Sequence, residues 1–271
     1  MRMHLPHYPY LFLLCCASLF AQSVEAKHAR VELIAESTGV TPGHKLLLGA
    51  HFQLEKDWHL YWINPGDSGQ PPVIHWQLPS GFSAGEAQWP RPEKLKSSQS
   101  ADYVYKDDLL LMVPVEVLSS FNSKSPVDLD ADVNWLICRE ICLADRARLH
   151  LALLVSSNSS PDPRHAQLFN HARQLLPRAW PTGWKATATS NKDAFILSIK
   201  SGTPLREAEF FPLELSQVDN GAPQPLRATA QGAKITLKKS EQLVKPVSKL
   251  RGLLVMRDGH AYEIIAPVVQ Q

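Results

Sequence analysis

The run VDLDADVNWLIC, residues 127–138, carries an apolar side chain at every second position: Val127, Leu129, Ala131, Val133, Trp135 and Ile137. Successive side chains of a strand point to opposite faces, so this spacing gives one apolar and one polar face, whereas a helix would scatter the six around its circumference. The segment is therefore committed to a half-buried β-strand. The same alternation returns in ARLHLALLV, through Leu149, Leu151 and Leu153, and upstream in HARVELIAES; HKLLLGAHFQLE continues it as a strand-like run. LLLMVPVEVL, from Leu109 to Leu118, is a further strand interrupted by Pro114, which predicts an edge position or a bulge. Turn-rich segments, NPGDSGQPP and LPSGFSAGEAQWPRPEKLKSSQS, separate these runs, and 21 prolines spread along the chain suit loop-rich β structure better than long helices. Short strands with this punctuation predict an immunoglobulin-like β-sandwich.

SSNSSPDPR, residues 156–164, is a Ser/Pro linker and marks a domain boundary. After it, HAQLFNHARQLLPRAW places Leu168, Ala172 and Leu175 at helical spacing, with Pro177 limiting the helix. Strand patterns then resume in AFILSIK, AEFFPLEL, AKITLKK and LRGLLVMRDGHAYEIIAPV, where Arg257-Asp258-Gly259-His260 signals a hairpin turn. The reading is an all-β chain of two immunoglobulin-like β-sandwich domains, with a short helix at the start of the second. Its boundaries are residues 27–157 for the first domain, 158–164 for the linker and 165–271 for the second.

Residues 1–26 read as a secretory signal peptide: Arg2 supplies the positive start, Tyr10 to Phe20 a short apolar core, and Val24 and Ala26 the small residues before a cleavage site. That core is too short to span a bilayer, and no later segment is apolar enough to do so. Lipid attachment at Cys15 or Cys16 is the alternative, against which Leu14 and Cys15 are poor residues to precede a lipidated cysteine. The expected mature protein is soluble and exported. Formal net charge is +2, and the bases cluster only in pairs such as Lys94 with Lys96, Arg146 with Arg148 and Lys238 with Lys239. Without a basic face, a nucleic-acid partner is not expected. GxSxG, P-loop, HExxH and dinucleotide-binding fingerprints are missing too, so hydrolase and nucleotide-enzyme readings have no support, and no cofactor is expected.

Signal cleavage leaves Cys138 and Cys142, in CREIC, as the cysteines of the mature chain. An oxidising compartment favours their pairing. As a staple the bond does little, since closing so short a loop is worth only about 2 kcal/mol against nearly 5 for a hundred-residue loop. A closed zinc or copper site needs three or four ligands, and the nearest histidine in sequence, His150, alternates away from the Leu149 face. Transient Cu(I) binding by two thiolates and idle buried thiols remain as further readings. The last is redox exchange, for which an exposed short-loop disulfide is more reducible than a buried staple. Arg139 favours a thiolate and Glu140 opposes it, so local charge does not choose the attacking sulfur.

Other residues carry two readings each. Asp67, in NPGDSGQPP, caps a tight turn shaped by Pro65, Gly66 and Gly69, or lies near the thiols and assists proton transfer. Trp58, Trp62, Trp76 and Trp89 are core or edge packing, or one of them forms part of a partner surface. Tyr103 and Tyr105 begin a strand or flank a cover over the cysteines.

The order of DWHLYWINPGDSGQPP, WQLPSGF, QWPRPE, YVYKDDLLLMVPVEV and VNWLICREICLADRARLHL resembles the periplasmic N-terminal domain of the DsbD/ScsB thiol:disulfide interchange proteins, over roughly residues 29–155. The likeness extends through the second sandwich to VMRDGHAYEIIAPV, as in the longer ScsB-type members linked to copper tolerance. The resemblance implies a periplasmic protein with a redox-active Cys138/Cys142 pair, of which Cys142 bonds to partners. It implies electrons received from a membrane-embedded reductase and passed to periplasmic thioredoxin-fold proteins, making the chain a protein-disulfide reductase component. It places a cap loop over Arg91 to Tyr105, with Tyr103 and Tyr105 in it, and brings Tyr61 near the site. The family's transmembrane and thioredoxin-like domains have no counterpart in this sequence, and Leu143-Ala144 stands where relatives often carry a proline. A non-catalytic binding or scaffold module with an inert disulfide, or a Cu(I)-handling protein, are the rival functions.

Overall fold

The computed structural model describes residues 23–98 and 100–270; most of the expected signal peptide lies outside the described residues. The chain is nearly all β. The first twelve strands are β1 (Val24–Ala26), β2 (Ala29–Ala35), β3 (Gly39–Val40), β4 (Lys45–Leu54), β5 (His59–Gly66), β6 (Val73–Gln77), β7 (Phe82–Ala84), β8 (Glu93–Lys96), β9 (Ala101–Lys106), β10 (Asp108–Val117), β11 (Val127–Cys138) and β12 (Cys142–Val155). They form two sheets, in the orders β1-β2-β4-β10-β7 and β3-β12-β11-β5-β9-β8, with β6 also on β11. The alternation in β11 is realised as read: Val127, Leu129, Ala131, Val133, Trp135 and Ile137 are all buried, facing Phe52, Leu48 and Leu111 of the opposite sheet. Trp135 meets Phe52 edge-on at 5.5 Å, and burying each such side chain is worth roughly 1.5–3 kcal/mol.

Pro114 is tolerated because of where it lies. Its carbonyl accepts from Gly85, so its missing N–H also points to the β7 side, where the ladder stops at Val115↔Ala84. Strand β1 pairs with β2 from Val24↔Val31 to Ala26↔Ala29, so cleavage after Ala26 would release it.

Helix α1 (Ala166–Leu175) follows the linker in sequence, as expected, but it packs on the first sandwich. Phe169 and Ala172 bury against Ile34, Leu110 and Met112, on the outer face of the β2-β4-β10 sheet. Gly49 makes room for this: a Cβ there would come 3.3 Å from the Phe169 ring. The Ser/Pro linker is likewise tied down, through Thr38 N to Ser160 O (2.9 Å) and Asp162 N to Glu36 O (2.7 Å).

The remaining strands are β13 (Lys185–Ser190), β14 (Ala194–Lys200), β15 (Ala208–Pro212), β16 (Leu226–Thr229), β17 (Gly232–Lys238), β18 (Lys249–Met256) and β19 (Ala261–Gln270). They run in the order β15-β18-β19-β13-β14-β17-β16. β19 pairs antiparallel with β18 along most of its length and parallel with β13 through Val268–Gln270, so the sheet folds over a second core. Phe195, Leu197, Ile235 and Leu237 from one half meet Leu250, Leu254 and Ile264 from the other. The turn Asp258-Gly259 joins β18 to β19, with Gly259 at φ 83°. The two cores touch: Phe211, Leu253 and Ala261 pack into the first one, and buried Asn64 donates to the carbonyl of Pro212 at 2.7 Å.

Candidate functional site

Cys138 ends β11 and Cys142 begins β12, as directly opposed residues whose Cα atoms are 4.1 Å apart, and their sulfurs are bonded. Since Ile137 faces the core, alternation sends Cys138 to the outer face of the sheet, beside Leu136. Outer-face residues are ordinarily wet, yet Cys138 is 2% exposed. Its cover is a small apolar cluster of Tyr61, Val104, Leu95 and Leu136, drawn from β5, β9, β8 and β11. Cys142, by contrast, is exposed. One sulfur-bearing residue is thus enclosed and its partner is open to solvent.

The three-residue turn between them is held at its base by Arg139 N donating to Ile141 O at 3.0 Å. The Arg139 guanidinium lies 5.3 Å from the Trp58 ring, which also stacks with His28 at 3.9 Å. Trp58 is therefore both core packing and a support for the turn. Ile141, next to Cys142, is 61% exposed. On the same outer face, Gln70, Val73, Leu136 and Ala144 line a depression of about 400 Å³.

The open sulfur has a polar neighbour in Tyr61, whose hydroxyl lies 3.8 Å from Cys142 Sγ. The hydroxyl also lies 3.3 Å from His59 Nε2. Burial pushes the Tyr61 pKa up and holds that of His59 down, so the phenol keeps its proton and the imidazole is neutral. With the proton of His59 on Nε2, that nitrogen donates to the Tyr61 oxygen and leaves the phenol O–H free to donate to sulfur. A disulfide sulfur is a weak acceptor, but a Cys142 thiolate formed on reduction would be a strong one.

A Gly-rich loop holds Tyr61 in place. Gly69, at φ +77°, sits so close that a Cβ there would fall 2.2 Å from the Tyr61 ring. The loop is pinned by two carboxylates: Asp102 accepts from Ser68 N (2.9 Å) and Ser68 Oγ (2.7 Å), and Asp67 accepts from Ala101 N (2.7 Å). The other Asp67 oxygen accepts from Asn220 of the second sandwich at 2.8 Å. The hydrogen bonds of the Asp67 side chain among the described residues thus go to Ala101 and Asn220, which brace the loop from outside.

The Arg91–Tyr105 segment forms a hairpin, β8–β9, joined to β5. It contributes Leu95 and Val104 to the cover of Cys138. Tyr103 and Tyr105 point to the opposite face and into the core: the Tyr103 ring packs tilted against Phe211, 4.8 Å between centroids, and Tyr105 donates to Pro90 O at 2.7 Å. Burial pushes both phenols well up. Sequence reasoning did not pick out His59, Leu95, Val104 and Ile141. His59 was within reach, since it precedes Tyr61 by two and so shares its face; Leu95 carried no such signal, because the cysteine it covers lies far along the chain.

Residues 30–154 match the family described as thiol:disulfide interchange protein DsbD, N-terminal. The N-terminal periplasmic domain of ScsB from Proteus mirabilis has the same fold, with a TM-score of 0.68 at 17% identity over 93% of this chain and 98% of that one. More distant are the GAE domain of yeast GGA1 (12% identity, 49% and 98% of the two chains, TM-score 0.28) and the Bacillus cereus pilin subunit BcpA (11%, 89% and 70%, 0.27). No curated protein sequence matches the chain.

Proposed function

We propose that residues 30–154, which match the DsbD N-terminal domain family, form a thiol–disulfide interchange domain that acts as a periplasmic carrier of reducing equivalents between a membrane-embedded reductase and thioredoxin-fold partners. The observation that supports this best is the asymmetry of the disulfide: an exposed Cys142 bonded to an enclosed Cys138. Exchange needs in-line attack on one sulfur by a thiolate, with the other sulfur as leaving group. Access selects Cys142 as the sulfur attacked.

In loading, a donor thiolate attacks Cys142 Sγ; the new S–S bond forms as the Cys138–Cys142 bond breaks, and the electron pair leaves on Cys138 Sγ. A second donor thiolate then attacks the donor sulfur of the mixed disulfide, releasing Cys142 as a thiolate and leaving the donor oxidised. Two electrons have entered the pair. In delivery, the Cys142 thiolate attacks a partner disulfide, and Cys138 resolves the mixed disulfide, which returns the pair to its oxidised form and the partner to a dithiol. Tyr61 contributes by donating to the Cys142 thiolate, and exposed Ile141 gives a docking partner an apolar contact beside it.

Trapping tests the reading. In Cys138→Ala, Cys142 attacks but nothing resolves, so mixed disulfides with periplasmic thioredoxin-fold proteins should accumulate; in Cys142→Ala they should not. If neither variant traps a partner, the carrier function is wrong.

A further inference from the structure

Strand alternation gives the β8–β9 hairpin two faces with different tasks. Leu95 and Val104 face outward and help enclose Cys138. Lys94 and Tyr103, a directly opposed pair, face the other way and meet the second sandwich. There the Lys94 side chain, only 5% exposed, brings its ammonium 2.7 Å from Glu209. The Tyr103 ring packs on Phe211, and its hydroxyl donates to Asn220 Oδ1 at 3.3 Å. Asn220, 6% exposed, also reaches Asp67 at 2.8 Å, and Asp67 holds the first residue of β9 through Ala101 N. A nearly buried ammonium is tolerated only with a partner, so Glu209 is needed where it is. Among the described residues, the side-chain hydrogen bonds of Lys94 and Tyr103 on the inner face of the hairpin therefore go to Glu209 and Asn220.

We propose that the second sandwich is a positioning element: through Glu209 and Asn220 it presses the β8–β9 hairpin onto Cys138, and so keeps Cys142 as the sulfur that partners meet. The inference builds on the exchange function proposed above, whose step it assigns to one sulfur. Glu209 and Asn220 touch neither sulfur; they act through Leu95 and Val104.

The test reads thiol accessibility and needs no partner. In full-length Cys142→Ala protein, the rate at which iodoacetamide alkylates Cys138 should be slow. Adding Glu209→Ala strands Lys94 and should raise that rate roughly tenfold, equivalent to about 1.4 kcal/mol of cover. Glu209→Gln, which keeps an oxygen facing Lys94, should restore the slow rate. Asn220→Ala should act in the same direction as Glu209→Ala, and provides an independent reading if the latter does not fold. Alkylation of Cys142 in Cys138→Ala should be unmoved by either change. An unchanged Cys138 rate in the folded variants overturns the proposal, as does a parallel rise at Cys142, which would mean general loosening. Failure of trapping with the alkylation pattern intact would remove the carrier function and leave the positioning role; the reverse pattern would remove the positioning role alone.

Discussion

Replacing Tyr61 by Phe removes one oxygen and keeps the ring on which Gly69 rests, so it isolates the hydrogen bond to sulfur. The hydroxyl is 3.8 Å from Cys142 Sγ and 3.3 Å from His59 Nε2. The first contact strengthens when the disulfide is reduced to a thiolate, whereas the second is present in both states. A hydrogen bond to a charged group is worth about 1.5–3 kcal/mol; at this long distance the lower end applies. About 1.4 kcal/mol corresponds to one pK unit and, for a two-electron couple, to about 30 mV. Tyr61→Phe should therefore raise the Cys142 thiolate pKa by about one unit, read from the pH dependence of thiolate ultraviolet absorbance. Because the reduced form loses support, the midpoint potential in glutathione buffers should fall by up to about 30 mV. Stability of the oxidised protein should drop by about 1 kcal/mol as His59 Nε2 loses its partner. A fall in stability with pKa and potential unchanged would show that the Tyr61 hydroxyl serves only His59, and would refute the assignment.

Two further outcomes follow from the packing. Gly69→Ala sets a methyl 2.2 Å from the Tyr61 ring at a positive φ, so chemical denaturation should show a loss on the order of 1–3 kcal/mol; a neutral result would mean the loop does not rest on Tyr61. His51 is buried between Glu32 (3.0 Å) and Asp108 (2.9 Å). Burial opposes its charge, but hydrogen bonds to the two carboxylates outweigh it and leave the pKa raised. A raised folded-state pKa gives stability that is complete below the unfolded value near 6.5 and is lost as pH rises through the folded value. The stability difference between wild type and His51→Gln should thus be larger at about pH 6 than at pH 9; a difference flat with pH would contradict the charged pairing.

How much of this was legible depended on range. Alternation located β2, β11 and β12, and apolar runs located β4 and β10, but β5 and β6 carried no strand reading, and β7 and β8 lie within LPSGFSAGEAQWPRPEKLKSSQS, which reads as turn-rich. The same alternation already placed Cys138 on the outer face, but not its cover, because Leu95 and Val104 arrive through the pairing of β8 with β9 and of β9 with β5, strands far from Cys138 along the chain. Helical spacing located α1, yet the surface it buries against was unreadable: Ile34, Leu110 and Met112 look like ordinary strand residues. Tyr103 and Tyr105 read as cover residues because they lie within the right segment, whereas their odd-numbered phase turns them inward. The Trp readings divide similarly: Trp58 and Trp62 are buried, while Trp76 and Trp89 pack partly buried at the edge of the core. Nothing local in NPGDSGQPP announced that Asp67 would be met by Asn220, more than 150 residues later.

Carrier function requires that the Cys138–Cys142 bond be made and broken rather than kept. Equilibrating the purified full-length protein with graded ratios of reduced and oxidised glutathione, and counting free thiols after an acid quench, measures its midpoint potential. An exchanging pair should be reduced reversibly at a potential well above about −300 mV, the region below which structural disulfides lie. A pair that stays oxidised in buffers poised below about −300 mV would identify the bond as a staple and contradict the account.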